Sequence, residues 1–142
     1  MKSYLDHAWG WISKGDNDLA STRLMIQCDG PFDTACFHCQ QAVEKYLKAI
    51  LAYNNRPIPH THNLKLILQE CLQVFPALGL EESDVAWLTP YAVELRYDLS
   101  FAPSLKEAEA AVQAVSAARE KVLAVLPPRP SDSAPVCSPA PK

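Results

Sequence analysis

The sequence has few glycines and lacks the short motifs of several enzyme classes. It has only four glycines, and they are not clustered, which excludes a glycine-rich loop that cradles phosphate groups. It also has no Gly-x-Ser-x-Gly motif, which excludes the nucleophile turn of the α/β hydrolases. The sequence therefore gives no local signature of a phosphate-loop enzyme or of a serine hydrolase.

Long hydrophobic runs are also absent. No uncharged apolar run approaches the roughly 20 residues that a membrane-spanning helix needs, and the N-terminus MKSYLDHAWGW lacks the apolar stretch of a signal peptide. We therefore expect a cytoplasmic protein with no membrane contact. The net charge of -3 argues against broad electrostatic binding of nucleic acid.

Cysteine and histidine are present but do not form a pattern typical of a metal site. The cysteine count is five, and an odd number without a secretory signal favours reduced thiols. Cys36 and Cys39 resemble half of a zinc site, but no second pair exists. We interpret them as small apolar residues at a helix interface. His62 is predicted to be a loop or capping residue whose ring makes a hydrogen bond. We expect no metal and no cofactor.

Proline marks the boundary of the folded domain. Six of the twelve prolines lie in the last 16 residues, PPRPSDSAPVCSPAPK. This segment has almost no large apolar side chains to offset the entropy of ordering, and its prolines forbid a helix. We predict one helical domain over residues 1–126 and a disordered, proline-rich tail over residues 127–142.

The hydrophobic periodicity of residues 1–126 is helical throughout, which predicts an all-α bundle. The first helix is expected to end near Cys28, and the second to run from Asp33 or Thr34 to about Tyr53. A third starts within 61–63 and ends before Pro76. The last helix has the clearest start, because Ser104 and Glu107 form a capping box.

The segment DVAWLTPYAVELRYD between the third and last helices is ambiguous. Pro90 lies within it, and a proline inside a helix removes a backbone hydrogen bond and crowds the preceding turn. Either a fourth helix kinks at this proline, or Thr89 caps a new helix.

The second helix carries an apolar stripe and a polar strip. The stripe includes Val43, Leu47 and Ile50, whereas the polar strip consists of Gln41, Glu44, Lys45 and Lys48. We predict that Leu47 is in the core and that Lys48 is not. The strip is interpreted either as solvated surface with an ordinary Glu44–Lys48 ion pair or as part of a basic face, because residues 45–65 contain no acidic side chain.

Four sequence pieces, taken in order, resemble the HEPN family (higher eukaryotes and prokaryotes nucleotide-binding) over residues 11 to about 125. They are W-x-x-K-G-x-x-D-L at 11–19, FHCQQAVEKYLKAIL at 37–51, Thr61-His62-Asn63-Leu64, and Tyr91 through Arg96-Tyr97. The resemblance implies an antiparallel bundle of four or five helices that forms a homodimer. It also implies association with a minimal nucleotidyltransferase as a protein partner, and binding of nucleotide or RNA.

Many HEPN proteins are ribonucleases whose motif is Arg, four to six residues, then His. The resemblance places Arg96 at the arginine, but residues 101–103 are Phe, Ala and Pro, and no histidine follows His62. The side chain that would transfer protons is therefore missing, and we predict a noncatalytic binding module. The ligand-binding candidates are Lys45, Lys48, Arg96, His62 and Gln41.

Two alternative functions remain open at this point. One is a toxin-like HEPN ribonuclease with a displaced active site, in which Arg96 acts with His60 or His62. The other is a purely structural dimerisation domain. Arg96 itself is interpreted either as a bidentate phosphate contact or as part of a structural salt bridge. Dimerisation is also suggested by aromatic residues that a small bundle does not readily hide, namely Trp9, Trp11, Tyr46 and Trp87.

Overall fold

The structure, a computed structural model, describes residues 2–130, except for the side chain of Arg96. Residues 2–130 contain helices and turns but no β-strand. The helices are α1 Tyr4–Gln27, α2 Phe32–Tyr53, α3 Leu64–Val74, the one-turn α4 Glu82–Val85 and α5 Leu105–Val125, with 3₁₀ turns at Ala86–Tyr91 and Leu95–Tyr97. The predicted all-α fold, a bundle of four to five helices, is confirmed.

Local capping explains where α3 and α5 begin. The predicted capping box at α5 is formed, because the Ser104 hydroxyl accepts a hydrogen bond from the backbone N–H of Glu107 and the Glu107 carboxylate accepts one from the backbone N–H of Ser104. Asn63 caps α3 by accepting from the N–H groups of residues 65 and 66. These short-range bonds satisfy N–H groups that have no partner inside the helix.

The ambiguous segment around Pro90 forms no full helix. One turn of α4 continues into the 3₁₀ turn that contains Pro90, which fits the loss of the backbone donor at proline. Thr89 does not cap a new helix. Its hydroxyl instead accepts a hydrogen bond from the backbone N–H of Leu64 at 3.1 Å, so this segment supports the start of α3.

Hydrogen bonds between helices show that α1 runs antiparallel to both α2 and α5. Residue numbers in α1 fall as those in α2 rise, along the pairs Thr22–Ala35, Asp18–His38 and Asp16–Tyr46. The same reversal relates α1 to α5 and the residues after it, along the pairs Arg23–Ser116, Asp16–Arg119 and Trp9–Pro127. The start of α1 therefore lies beside the end of α5.

The second helix is the central element of the core. Val43, Leu47 and Ile50 are fully buried, which confirms the prediction for Leu47. Cys36 and Cys39 are also fully buried, and burial raises the pKa of their thiols to about 11 and about 12. Such thiols stay protonated at neutral pH, as expected of residues that pack in a core.

The aromatic residues predicted to be exposed are mostly covered. Tyr46 is fully buried, so that prediction is wrong: the residue lies on the central helix and packs against α1. Trp9 and Trp11 are partly buried against the core, and of the four only Trp87 is exposed. These four aromatic residues therefore leave little exposed apolar surface.

The chain after α5 begins in contact with α1. The indole N–H of Trp9 donates a hydrogen bond to the backbone carbonyl of Pro127 at 3.1 Å. Residues 131–142 of the predicted tail lie outside the described residues. The domain boundary at residue 126 and the disorder of the tail thus stay predictions. Within residues 2–130, no helix combines the length and the apolar character needed to cross a membrane.

Two glycines of α1 should respond oppositely to alanine. A Cβ at Gly15 would lie 2.6 Å from Cε1 of Tyr46, and that ring is fully buried with its hydroxyl bonded to Asp16. We expect Gly15→Ala to lower the free energy of unfolding by about 1–3 kcal/mol. A Cβ at Gly10 meets nothing within 4 Å, so Gly10→Ala should raise it by about 0.5–1 kcal/mol. Urea denaturation measures both values, and equal effects would contradict this packing.

Candidate functional site

The polar centre of the domain is the carboxylate of Glu44, which is buried on α2. Lys48 Nζ donates to Oε2 at 2.7 Å, whereas His62 Nδ1 and Gln40 Nε2 donate to Oε1 at 2.9 Å and 3.2 Å. A buried carboxylate is tolerated when such donors replace the water it has lost. We call Gln40, Glu44, Lys48 and His62 the Glu44 network.

The spacing of residues on α2 and the path of the following loop build this network. Gln40, Glu44 and Lys48 are four residues apart and so share one helix face. The chain after α2 returns along that face before α3 begins. It is fixed there because Gln40 Nε2 also donates to the backbone carbonyl of His62 at 2.9 Å. One amide side chain thus holds both the carboxylate and the loop.

The Glu44 carboxylate is ionised at neutral pH in spite of its burial. Burial raises the pKa of this group, but the hydrogen bonds from Lys48, His62 and Gln40, together with the charge of Lys48, outweigh that effect. The net result is a pKa below the usual value of 4.5. The Glu44 network is therefore an internal ion pair and not a neutral hydrogen-bond cluster.

Lys48 lies inside the domain, so the prediction that it is not in the core is wrong. Only 9% of the residue is exposed. The physical reason is that neighbouring elements cover the polar strip of α2 as well as its apolar stripe. The ammonium group is bound to Glu44 on one side and lies 5.6 Å from the ring centroid of Trp11 on the other, a cation–π contact.

Lys45 faces a different carboxylate from Lys48. Its Nζ lies 2.6 Å from Oδ2 of Asp18 on α1, and the same Asp18 also binds Nδ1 of His38 at 2.8 Å. The two lysines of the predicted basic face are thus divided between two largely buried acids. Neither ammonium group is free to serve as an open phosphate contact in this arrangement.

The other two candidate residues are Gln41 and Arg96. Gln41 touches the Glu44 network indirectly, because its Nε2 donates to Oε1 of Gln40 at 2.6 Å. The backbone of Arg96 lies in the 3₁₀ turn Leu95–Tyr97, but its side chain lies outside the described residues. The structure therefore brings together Lys48, His62 and, through Gln40, Gln41. All five residues remain predictions as ligand contacts.

A second polar cluster was missed from the sequence. Tyr46 donates its hydroxyl proton to Oδ1 of Asp16 at 2.6 Å, and Arg119 of α5 binds both oxygens of Asp16, at 2.7 Å and 3.1 Å. Burial raises the pKa of the Tyr46 hydroxyl, and the hydrogen bond to Asp16 and the charge of Asp16 raise it further. Asp16 and Asp18 lie in the W-x-x-K-G-x-x-D-L segment, but their partners are far away in sequence and no local pattern reveals them.

His62 is the residue of the Glu44 network that could take part in proton transfer. Its side chain is 54% exposed while the acid that orients it is buried. Because the carboxylate accepts the hydrogen bond, Nδ1 carries a proton, and in the neutral imidazole Nε2 then holds the lone pair. This is the arrangement of a histidine that can accept a proton. Over residues 2–130, no group of three or more histidine, cysteine, aspartate or glutamate side chains could hold a metal ion.

The lowered pKa of Glu44 predicts a pH-dependent cost for Glu44→Gln. A carboxyl whose folded-state pKa is depressed stabilises the fold above its unfolded pKa, and this contribution disappears as the pH falls. We expect the variant to be about 3 kcal/mol less stable at neutral pH, and the difference from wild type to shrink below about pH 4.5. Denaturant unfolding curves recorded across this pH range measure the difference in the free energy of unfolding. Glu109→Gln, at an exposed site, is the control whose difference should stay flat.

Comparison with known proteins agrees with the architecture. The family model described as HEPN domain matches residues 8–125. This range contains α2, α3 and α5, the Glu44 network, and the second polar cluster of Asp16, Tyr46 and Arg119. No curated protein and no solved structure matched the chain. Since the match covers most of the sequence and ends at the last residue of α5, the chain belongs to the HEPN domain family.

Proposed function

We propose that this chain is a noncatalytic, dimeric HEPN domain that acts as a partner-binding module, with a minimal nucleotidyltransferase as its protein partner. HEPN domains form a nucleotide-binding and ribonuclease-type family. The segment after Arg96 supports the noncatalytic role, and exposed apolar side chains before and at the start of α5 support the dimer.

The segment after Arg96 supports the noncatalytic proposal. Residues 101–103 hold no histidine, and Phe101 packs its ring against Tyr91 with 5.6 Å between the ring centroids. Pro103 is buried. Apolar packing thus occupies the position where the family's ribonuclease motif has a proton-transferring histidine.

The polar candidates favour a protein partner over nucleotide or RNA. Lys45 and Lys48 are paired with Asp18 and Glu44. A phosphate group that approached either ammonium would have to compete with a carboxylate already at hydrogen-bond distance. Nucleotide binding at Lys45, Lys48, Arg96, His62 and Gln41 therefore rests on residue type alone.

The observation that carries the proposal is a group of exposed apolar side chains in the segment 93–105, namely Val93, Tyr97, Leu99 and Leu105, which we call the apolar ridge. All four side chains are exposed, and Leu99 is completely so. The same segment contributes Tyr91 and Phe101 to a small cavity of about 90 Å³, which Asp33, Thr34 and Phe37 also line. Exposed apolar side chains that lie together are typical of interaction sites. In the proposed dimer, a two-fold axis lets each copy insert Leu99 into the cavity of the other.

The dimer is tested by a charge on the apolar ridge. We expect sedimentation to show a dimer of the wild type at tens of micromolar protein, and Leu99→Asp to raise the dissociation constant at least tenfold, which is about 1.4 kcal/mol. Leu24→Asp is the matched control, because Leu24 is also exposed but lies on α1, and its dimer should be unchanged. A monomeric wild type would overturn the proposal.

A nucleotidyltransferase gene next to this one would support the named partner, and its absence would count against it.

A displaced ribonuclease site is the second candidate function. It is favoured by the Glu44–His62 hydrogen bond, which holds a half-exposed imidazole by its Nδ1 and leaves Nε2 out of that bond. In this reading His62 accepts the proton of the attacking ribose hydroxyl during RNA cleavage.

Incubation with single-stranded RNA in a chelator separates the two candidates. Under the noncatalytic proposal, the wild type, His62→Ala and His60→Ala all leave the RNA intact. His7→Ala is the control, because His7 is exposed on α1 and is not part of the displaced site. Cleavage that is lost in Arg96→Ala and in His62→Ala or His60→Ala, but kept in His7→Ala, would overturn the noncatalytic proposal and establish the ribonuclease.

A further inference from the structure

A second concave surface lies at the other end of the domain from the apolar ridge. It is a groove of about 510 Å³ between the first half of α1 and the end of α2 with the loop that follows. We call it the α1–α2 groove. Its apolar lining includes Trp11, Ala52 and Ile58. The volume is within the range of about 300–1,000 Å³ that is usual for small-molecule sites.

The rim of the α1–α2 groove is positively charged on a protein that is negative overall. Lys2, Lys14 and Arg56 line it, with Asp6 as the acidic residue among them, whereas the whole chain carries -3. Within residues 2–130, no salt bridge involves Lys2 or Lys14, and both are exposed. Lys2 and Lys14 are thus available to a ligand, unlike Lys45 and Lys48, and a negatively charged group suits this rim.

The floor of the groove is held in place by the Glu44 network. Lys48 Nζ lies 5.6 Å from the ring centroid of Trp11 and is itself bound to Glu44 at 2.7 Å. The indole therefore cannot move toward the domain interior without disturbing a buried ion pair. A floor that is fixed before binding lowers the ordering cost of a ligand.

We propose that the α1–α2 groove binds an amphipathic organic anion. Its flat apolar body lies against Trp11 and Ile58, and its sulfonate, carboxylate or phosphate group is bound by Lys2, Lys14 and Arg56. Arg56 is oriented by Gln73, whose Oε1 accepts from Nη2 at 2.9 Å, and the same Nη2 lies 3.8 Å from Oε1 of Glu70, with which the anion must compete. The site goes beyond the proposed dimer, because it uses no residue of the apolar ridge.

A pair of dyes that differ in charge tests the proposal. Anilinonaphthalene sulfonate supplies the flat body with an anionic group, and N-phenylnaphthylamine supplies nearly the same body without charge. We expect fluorescence titration of the full chain to show the sulfonate binding at least tenfold more tightly than the neutral dye. Raising the ionic strength from about 0.1 M to about 1 M, which shortens the Debye length from about 10 Å to about 3 Å, should remove most of this preference. Equal affinities, or no binding of the sulfonate, would overturn the proposal.

Gly10 allows the groove to be filled without disturbing the fold. It lines the groove, and a Cβ there meets no atom within 4 Å. Gly10→Phe should weaken sulfonate binding at least tenfold, while Gly10→Ala should keep most of it. Unchanged binding in Gly10→Phe would show that the dye binds elsewhere, for example on the apolar ridge, and would contradict the proposed binding site in the α1–α2 groove.

Charge reversal on the rim tests the anion contact separately. Lys14→Glu should weaken binding of the sulfonate several-fold and leave that of the neutral dye unchanged. Lys106→Glu is the matched control, because Lys106 is exposed in the first turn of α5, at the opposite end of the domain, and should change neither affinity. Equal losses in both variants would mean a nonspecific charge effect and would contradict the site.

Leu99→Asp should leave dye binding intact. A failure of the proposed dimer can therefore be distinguished from a failure of ligand binding in the α1–α2 groove.

Discussion

The buried carboxylate of Glu44 is the constraint on which the rest of the structure depends. Removing a charge from water costs several kcal/mol even after the surrounding protein relaxes, so the fold must bring donors to it. Two donors, Gln40 and Lys48, come from the same face of α2, and the third, His62, comes from the loop before α3. Satisfying one acid therefore fixes where this loop lies. Through the contact of Lys48 with Trp11, it also ties α2 to α1.

The elements that local chemistry determines could be predicted from the sequence, and those that tertiary contacts determine could not. Ser104 caps α5 through hydrogen bonds that span three residues, so the start of that helix could be predicted from the sequence. The burial of Lys48 and Tyr46 was not, because it depends on how many elements surround α2. Helical spacing shows that two residues share a face, but it does not say whether that face meets water or a neighbouring segment.

The same limit applies to the candidate site. Residues 45–65 contain no acid, which predicted a basic face, yet the acids that pair with this window lie just outside it or far away. Glu44 directly precedes the window, Asp18 lies on another helix, and Glu70 is 3.8 Å from Arg56. Whether a cation is available to a ligand depends on these partners. This is why Lys2 and Lys14, which are exposed and were not among the candidate ligand residues, are better placed to meet an anion than Lys45 or Lys48.

The position of Lys48 also bears on the choice between a structural and a catalytic His62. A carboxylate that orients a catalytic histidine is most effective when its negative charge is left to stabilise the imidazolium formed by proton transfer. Here Oε2 of Glu44 is bound by the ammonium of Lys48 at 2.7 Å, so much of that charge is already compensated. The hydrogen bond of His62 to Oε1 then serves mainly to hold the loop on α2. The compensated charge of Glu44 thus favours the proposed binding module over the ribonuclease, with the α1–α2 groove and the apolar ridge at opposite ends of one bundle.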